Sequence, residues 1–497
     1  MYEPPRAALL PNIYRAGAVH PACAIVLTVT LLFSGCSLVP AYKRPDAPLA
    51  KRFDGAASTS LANTTPVRSE WWRAYQDPEL NALVERSLQN NFSLASAVAT
   101  VEEARGNAEK AGAPLYPSLT FGATYDRSHQ GGTGGKRGST GRSQSAFLEA
   151  SYEVDFWGLN AANANAAMLL ARASEFDRDT VALTLTASVV NTYFQIQSLR
   201  RRVMLARTIS TDAEHILQLL IAQKDAGVAT ELQIQQQRNV LATFQANVPV
   251  LQQQLDQNLH LLAVLTGSAP EQMNVGEVQL SAIPIPAVRP NLPSSLLEAR
   301  PDIRSKEATL QSANYSVGAA RAAYFPTLLL TADGGLSSGS LSHFLTSPFA
   351  SLATALAAPI FDGGALHGQL HANQAAVTKG VADYRQTIVT ALQDVEDSLT
   401  AAQQQQLAEA FDQTAADAAR QAATLAEAQY KFGTVDFLTV LDAQRTLYQA
   451  EDTLVQTRLL RLQASAGLFR AFGGGFGVTD SAPRAFPSSS QSNSGNS

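Results

Sequence analysis

Four places in the chain carry residue types at spacings that chemistry uses. Gly335-Leu336-Ser337-Ser338-Gly339 matches the G-x-S-x-G pattern of an esterase nucleophile, and His343 is near. That elbow needs a sharp strand-to-helix turn at the serine, whereas this segment reads as the loop between two strands. His367 and His371 stand four apart on a helix, a zinc-like spacing, but Gly368 replaces the Glu of H-E-x-x-H and no third ligand is apparent. They read as exposed helix residues. The Gly-rich stretch 131–138 contains Gly135-Lys136, but Arg137 stands where a phosphate loop needs Ser or Thr, and position 130 is Gln. Asp442 and Arg445 are three apart in a helical stretch; taken alone they read as a surface pair worth a few tenths of a kcal/mol. None of these makes a catalytic centre, and no enzyme activity is expected.

Composition points the same way. Of 497 residues, 45% are hydrophobic and only 16% charged, below the ~25% charged residues usual in soluble domains. The net charge of -5 excludes a broadly basic nucleic-acid binder. Two cysteines in the chain exclude a disulfide scaffold, and seven histidines are too few for a rich metal or acid–base centre. No cofactor is expected. No apolar run beyond the N-terminus is long enough for a membrane-spanning helix.

The N-terminus reads as an address. Arg6 and Arg15 precede an apolar run, 22–33, whose length suits a signal peptide and is too short to span a bilayer. It ends in Ser34-Gly35-Cys36, which resembles a lipoprotein cleavage site that would leave Cys36 as an acylated N-terminus, with Ser37 directing the product to the outer membrane. A Pro/Ala/Ser/Thr-rich stretch then suits an extended tether. The Gly/Ser/Pro-rich segment from 473 on is expected to stay disordered.

Between these ends the sequence repeats. Ala113-Pro114-Leu115-Tyr116-Pro117 resembles Ala322-Ala323-Tyr324-Phe325-Pro326, Asp155-Phe156-Trp157-Gly158 resembles Ile360-Phe361-Asp362-Gly363, and Ala222-Gln223-Lys224-Asp225-Ala226-Gly227 resembles Ala428-Gln429-Tyr430-Lys431-Phe432-Gly433, all at offsets of about 205–209. Each half predicts a helix, two strands, a very long helix and a return helix. The first helix opens at Asp77-Pro78 and breaks near Asn90-Asn91; its counterpart begins near Ser294 and breaks at Arg300-Pro301. Strands are expected near 117–128, 144–155, 326–334 and 351–360. Leu119, Phe121, Ala123 and Tyr125 alternate with Thr120, Gly122, Thr124 and Asp126, and Ala146, Leu148, Ala150, Tyr152 and Val154 with Ser145, Phe147, Glu149, Ser151 and Glu153. The polar segment 129–143 reads as a loop. Long helices are predicted at Leu159–Asp225 and 365–432, each about 100 Å at 1.5 Å per residue. The return helices, Glu231–Leu265 and Phe437–Ala471, are half as long, so the short helices before the strands would complete them end to end. The corresponding spans are 1–35 signal peptide, 36–76 tether, 77–272 first repeat, 273–293 linker, 294–472 second repeat and 473–497 tail.

Four strands cannot close a barrel, and open edges cannot face lipid because their backbone groups would go unpaired. If the strands lie in a membrane, chains must associate. Three copies would give twelve strands, within the even-numbered range of outer-membrane barrels.

With those elements in place, the chain resembles the TolC-like outer-membrane efflux proteins, in particular the NodT-like lipoprotein branch that works with resistance-nodulation-division pumps. The resemblance runs from Cys36 to Gly474. It is carried by Cys36 with Pro40-x-Tyr42-x-x-Pro45, Trp71-Trp72 with Asp77-Pro78-x-Leu80, Tyr152-x-x-Asp155-x-Trp157-Gly158, and Leu441-Asp442-Ala443-Gln444-Arg445. It implies a mainly α fold with a membrane β-barrel, a homotrimer, a periplasmic helical tunnel and a lipid on Cys36. It also implies a periplasmic adaptor, an inner-membrane pump and export of small molecules across the outer membrane. The turns Gly227-Val228-Ala229-Thr230 and Gly433-Thr434-Val435-Asp436 would then form the tunnel tip, where the adaptor docks. By the same resemblance Asp442 forms a ring about the threefold axis, Leu438 an apolar constriction, and Arg445 and Tyr430 tie the closed tip. Three carboxylates meeting on an axis repel, which favours cations or arginines nearby and raises the pKa of some. Thr439 departs from relatives that carry a second acidic residue there. Two other functions fit the same elements: the exit duct of type I protein secretion, and a coiled-coil envelope lipoprotein with no pore.

Overall fold

The computed structural model of the chain describes residues 38–47, 53, 69–131, 139–288, 293–339 and 346–475. The leader, Cys36, most of the 131–138 stretch, His343 and the tail from 476 lie outside the described residues.

The element order is written twice. Helices α1 (Pro78–Asn90) and α2 (Phe92–Gly112) lead into β1 (Ser118–Gln130) and β2 (Ser139–Val154), followed by α3 (Leu159–Asp225) and α4 (Glu231–Leu265). The second half runs α5 (Pro301–Ala322), β3 (Thr327–Ser338), β4 (Ser347–Ala357), α6 (Ala365–Lys431) and α7 (Phe437–Ala471). The helices α3 and α6 both have 67 residues, and α4 and α7 both have 35. That equality is the sequence repeat in structural form. Among the described residues no helix is long and apolar enough to cross a membrane.

Two compact units share these elements. Among the described residues, one takes those within 38–41, 111–165 and 314–374; the other takes those within 42–110, 166–313 and 375–475.

The first unit is a four-stranded antiparallel meander in the order β1-β2-β3-β4. Because successive side chains alternate, the register sorts its two faces. Thr120, Thr124, Glu149, Ser151, Asp333 and Ser351 share one face, joined by Thr124 Oγ1 to Ser145 Oγ at 2.7 Å and by Ser351 donating to Asp333 at 2.8 Å. Leu119, Phe121, Tyr125, Leu148, Leu352 and Leu356 share the other and are exposed. The Phe147 ring lies on the polar face because Gly122 and Gly335, its partners on either side, leave the room: a Cβ on Gly122 would meet the ring at 2.6 Å. Trp157 stacks on Phe325 at 4.4 Å and donates to Pro326 O at 2.9 Å, joining the two halves. Asp155 and Asp362 cap the starts of α3 and α6 with their carboxylates.

The strands depart from expectation at their outer ends. Pairing continues from Asp126↔Ser143 to Gln130↔Ser139, so much of the expected 129–143 loop is strand. Likewise β3 runs through Gly335, Leu336 and Ser337 to Ser338, so the G-x-S-x-G serine sits within a strand rather than in a loop. β4 starts and ends earlier than 351–360. The physical reason is common to the first two. Backbone ladders continue where both faces have turned polar, and alternation of hydrophobicity no longer reports them.

The second unit is held by an aromatic and aliphatic core. Trp71 stacks on Phe469 at 5.2 Å, Tyr75 meets Phe194 edge-on at 5.0 Å, and its hydroxyl donates to Ser465 at 3.1 Å. Asp77 caps α1 through Oδ1, which accepts from the Glu79 and Leu80 amides, while Oδ2 accepts from Tyr193 at 2.6 Å. Burial, with Asp77 beside it, pushes the Tyr193 hydroxyl up strongly.

The helices do meet end to end. Asn91 donates to the last carbonyl of α4, Leu265 O, at 3.0 Å and accepts from Leu94 N at 3.0 Å, so one side chain joins the end of α4 to the start of α2. Gly267, at φ +67°, fits under Asn90 O where a Cβ would come within 2.3 Å. In the second half Arg300 donates to Ala471 O at 3.3 Å, and Gly473, at φ +86°, fits beneath Ala299 O. α4 passes through Pro249, which removes one ladder bond without ending the helix.

The tether motif is explained by Glu307 of α5. This carboxylate, only 8% exposed, takes a bidentate pair from Arg44 at 2.8 and 2.8 Å and accepts from Tyr42 at 3.3 Å. Burial, then the Glu307 charge, raises the Tyr42 hydroxyl to about 12.

Candidate functional site

The far ends of both long helices close in the same way. At the end of α3, Gly227 N donates to Lys224 O and Val228 N to Gln223 O, both at 2.8 Å. At the end of α6, Gly433 N donates to Tyr430 O at 2.9 Å and Thr434 N to Gln429 O at 3.0 Å. These are Schellman closures, which need a left-handed residue, and Gly227 (φ +79°) and Gly433 (φ +68°) supply it.

The return helices then start on side-chain caps. Thr230 forms a capping box with Gln233: the Gln233 amide donates to Thr230 Oγ1 at 3.3 Å and the Thr230 amide to Gln233 Oε1 at 2.8 Å. Asp436 accepts from Thr439 N at 3.0 Å and Thr439 Oγ1 at 2.7 Å, and those two donors hold its carboxyl below the usual range. The Lys224–Glu231 pair spans the first turn, and its hydrogen bond lowers the Glu231 carboxyl. Gly227, Val228, Thr230, Gly433, Thr434 and Asp436 are exposed, while Ala229 and Val435 are half-buried.

Beneath the turns lies a small apolar cluster of Ile209, Leu217, Leu220, Ile234, Phe244, Phe437 and Leu441. α7 therefore has a buried stripe (Phe437, Leu441, Gln444) and an exposed stripe (Leu438, Asp442, Arg445). The second stripe recurs every three to four residues and so lies on one face. Asp442 and Arg445 both point to solvent and make no hydrogen bond or ion pair with each other or with other described residues, so the expected i,i+3 pair is not formed. Tyr430 stands apart from that stripe. Its hydroxyl donates to Gln223 Oε1 at 2.9 Å and its ring meets Phe437 at 5.8 Å, tying α6 to α3 and α7.

Several groups at this end carry no sequence signature. Arg202 holds Asp452 in a bidentate pair at 2.6 and 3.1 Å, linking α3 to α7, and Arg420 bridges α6 to α7 through Glu451 at 2.7 Å. Gln444 is 3% exposed, and neither amide atom finds a partner. Gln237, near the matching place in α4, donates to Ala213 O at 2.7 Å. His367 and His371 are both exposed on α6.

The chain thus combines an amphipathic four-stranded sheet with two long helical hairpins of matching length. A sequence profile of outer membrane efflux proteins matches residues 83–268 and 292–474, covering both halves. The chain is 37% identical over 457 residues to the pyoverdine export outer membrane protein OpmQ of Pseudomonas aeruginosa, across 90% of this chain and 96% of that one. It is 31% identical over 467 residues to the toluene efflux pump outer membrane protein TtgC of Pseudomonas putida, across 90% and 95%. Among solved structures, the outer-membrane channel OprN superposes with a TM-score of 0.83 at 28% identity, covering 89% of this chain and 100% of that one. The open state of the Neisseria gonorrhoeae MtrE outer membrane channel gives 0.79 at 28% identity, covering 89% and 99%. The chain belongs to the outer membrane efflux protein family, a family of outer-membrane channels rather than enzymes.

Proposed function

We propose that three copies of this chain form the exit duct of a tripartite efflux pump, carrying small organic molecules across the outer membrane. One observation carries the reading: a meander whose two edges, on β1 and β4, are open and whose faces are separately polar and apolar. Such edges are tolerable in lipid only if other strands pair with them. Three copies make twelve strands, an even-numbered closure, with the polar face lining the lumen.

In this reading the long helices extend into the periplasm. The capped turns 227–230 and 433–436 form the tip and receive the adaptor, which couples the duct to an inner-membrane pump of the resistance-nodulation-division class. The exposed Leu438–Asp442–Arg445 stripe is turned toward the axis, and the Asp442 carboxylates with Leu438 narrow the closed tip. Tyr430, bonded within its own chain, braces the helix ends. Cys36 carries the lipid that anchors the tether. Relatives named for pyoverdine export and toluene efflux fit cargo of this size.

The test is single-channel conductance of the purified full-length protein in a planar bilayer beside Asp442→Ala. Small, mostly closed wild-type currents and a larger current from the variant are expected. Equal currents would move the gate away from Asp442. Silence from both, with the trimer confirmed, would sink the duct reading.

A further inference from the structure

The apolar face of β1 and β2 ends in an arrangement that the duct does not explain. Followed away from the helices, β1 presents Leu119, Phe121, Ala123 and Tyr125, then Arg127. On the same face β2 presents Tyr152, Ala150, Leu148 and Ala146, then Gln144 and Arg142. Arg127 and Arg142 are direct register partners, so two guanidinium groups leave the sheet side by side. Like charges directly opposite on a sheet are unfavourable. Both arginines are exposed, and neither has a hydrogen bond or ion pair among the described residues. Neither strand places a carboxylate on this face: Asp126, Glu149 and Glu153 all point to the other side.

On β1 the order from apolar to aromatic to cationic matches the order of acyl chain, interface and headgroup across one leaflet, and β2 sets Arg142 beside its cationic end. Eight residues separate Leu119 from Arg127, about 26 Å along the strand. A tilted strand of that reach approaches the limit of an outward apolar band ~25 Å tall. Two adjacent planar forks with no carboxylate of their own suit the oxygens of a phosphate.

We propose that Arg127 and Arg142 form a binding site for a phosphate-bearing lipid headgroup of the outer leaflet. The headgroup relieves their mutual repulsion and fixes the depth of the sheet in the membrane. This rests on the duct reading for one point, that the end of the sheet remote from the helices faces outward.

The test is titration of the full-length protein in neutral detergent with diphosphoryl lipid A, with the same lipid dephosphorylated, and with inorganic phosphate, read by native mass spectrometry. Wild type is expected to hold the phosphorylated lipid in preference to both others. R127Q/R142Q should bind it at least ~tenfold more weakly, the loss of charge-assisted contacts, and R127K/R142K should retain part of the affinity. Equal binding by the Gln variant, or by the dephosphorylated lipid, overturns the site. Competition by inorganic phosphate at equal concentration overturns the lipid and leaves a free-anion site. R127Q/R142Q should conduct as wild type does. If neither conducts, the duct reading fails, while the lipid titration still reports on the arginine pair.

Discussion

Thr230 and Asp436 do one job from two halves of the chain, and they do it with different chemistry. Thr230 caps with a hydroxyl and a reciprocal Gln233; Asp436 caps with a carboxylate that Thr439 holds below the ordinary value of 3.8. The sign follows from that direction. A depressed carboxyl contributes stability above its unfolded value, and that contribution is lost as pH falls through the folded value. The Asp436 cap of the second turn should therefore weaken in acid, while the Thr230 hydroxyl cap of the first does not titrate and only the exposed Lys224–Glu231 pair beside it is lost. Pepsin should cut near 433–439 more readily in wild type than in Asp436→Asn, whose cap does not titrate; identical digestion of the two would refute the assignment. Of this site, the two Gly-containing turns were legible in the sequence because they are local motifs, whereas Asp442 and Leu438 were singled out as gate residues only by the family resemblance. The Arg202–Asp452 and Arg420–Glu451 pairs and the orphaned Gln444 were not legible. Their partners, or the absence of partners, lie on other helices.

The strands show what a pattern can and cannot report. Alternation in 119–125 and 146–154 was plain, and those segments are strand. The polar outer ends carried no such signal, yet the ladder continues through them. Glycine placement inside the sheet was equally silent. A Cβ on Gly335 would meet Ala146 O at 2.3 Å and Phe147 Cα at 2.7 Å, whereas Gly334 next to it has open space. Gly335→Ala should destabilise the sheet by about 1–3 kcal/mol and lower the temperature at which the proposed trimer dissociates in SDS gels. Gly334→Ala should leave that temperature unchanged. Equal effects of the two would mean the Phe147 cradle does not matter. The helices behaved differently. A 67-residue stretch without proline and with recurring apolar positions specifies its own state, and its ends are punctuated by Gly227 and Gly433.

At the scale of the whole chain, the two halves share the β2–β3 ladder and a core in which Trp71 stacks on Phe469, and a few long-range contacts close helix ends and hold the tether. Asn91 and Arg300 join helix ends, Trp157 reaches Pro326, and Glu307 holds the tether through Arg44. Removing the Glu307 charge weakens a bidentate ion pair. Glu307→Gln should thus speed tryptic cleavage after Lys43 severalfold, with the rest of the digest unchanged. No change would show that Asn314, which donates to Pro40 O, and Arg385, which donates to Asp46 O, hold the segment unaided.

The sequence by itself determined the repeat, the four helices of the two hairpins, the amphipathic strands and the chemistry of each turn. Those features rest on interactions within a few residues: hydrogen-bond ladders, alternation, capping and left-handed glycines. Only the tertiary structure decided that Asp442 and Arg445 stay unpaired on one exposed stripe, that Tyr430 bonds Gln223, that Arg44 clasps Glu307, and that Arg127 faces Arg142. Each of these depends on which residues, often from distant segments, arrive side by side when the register and packing are set. Burial and competition among partners choose that outcome, and neither is written in local order.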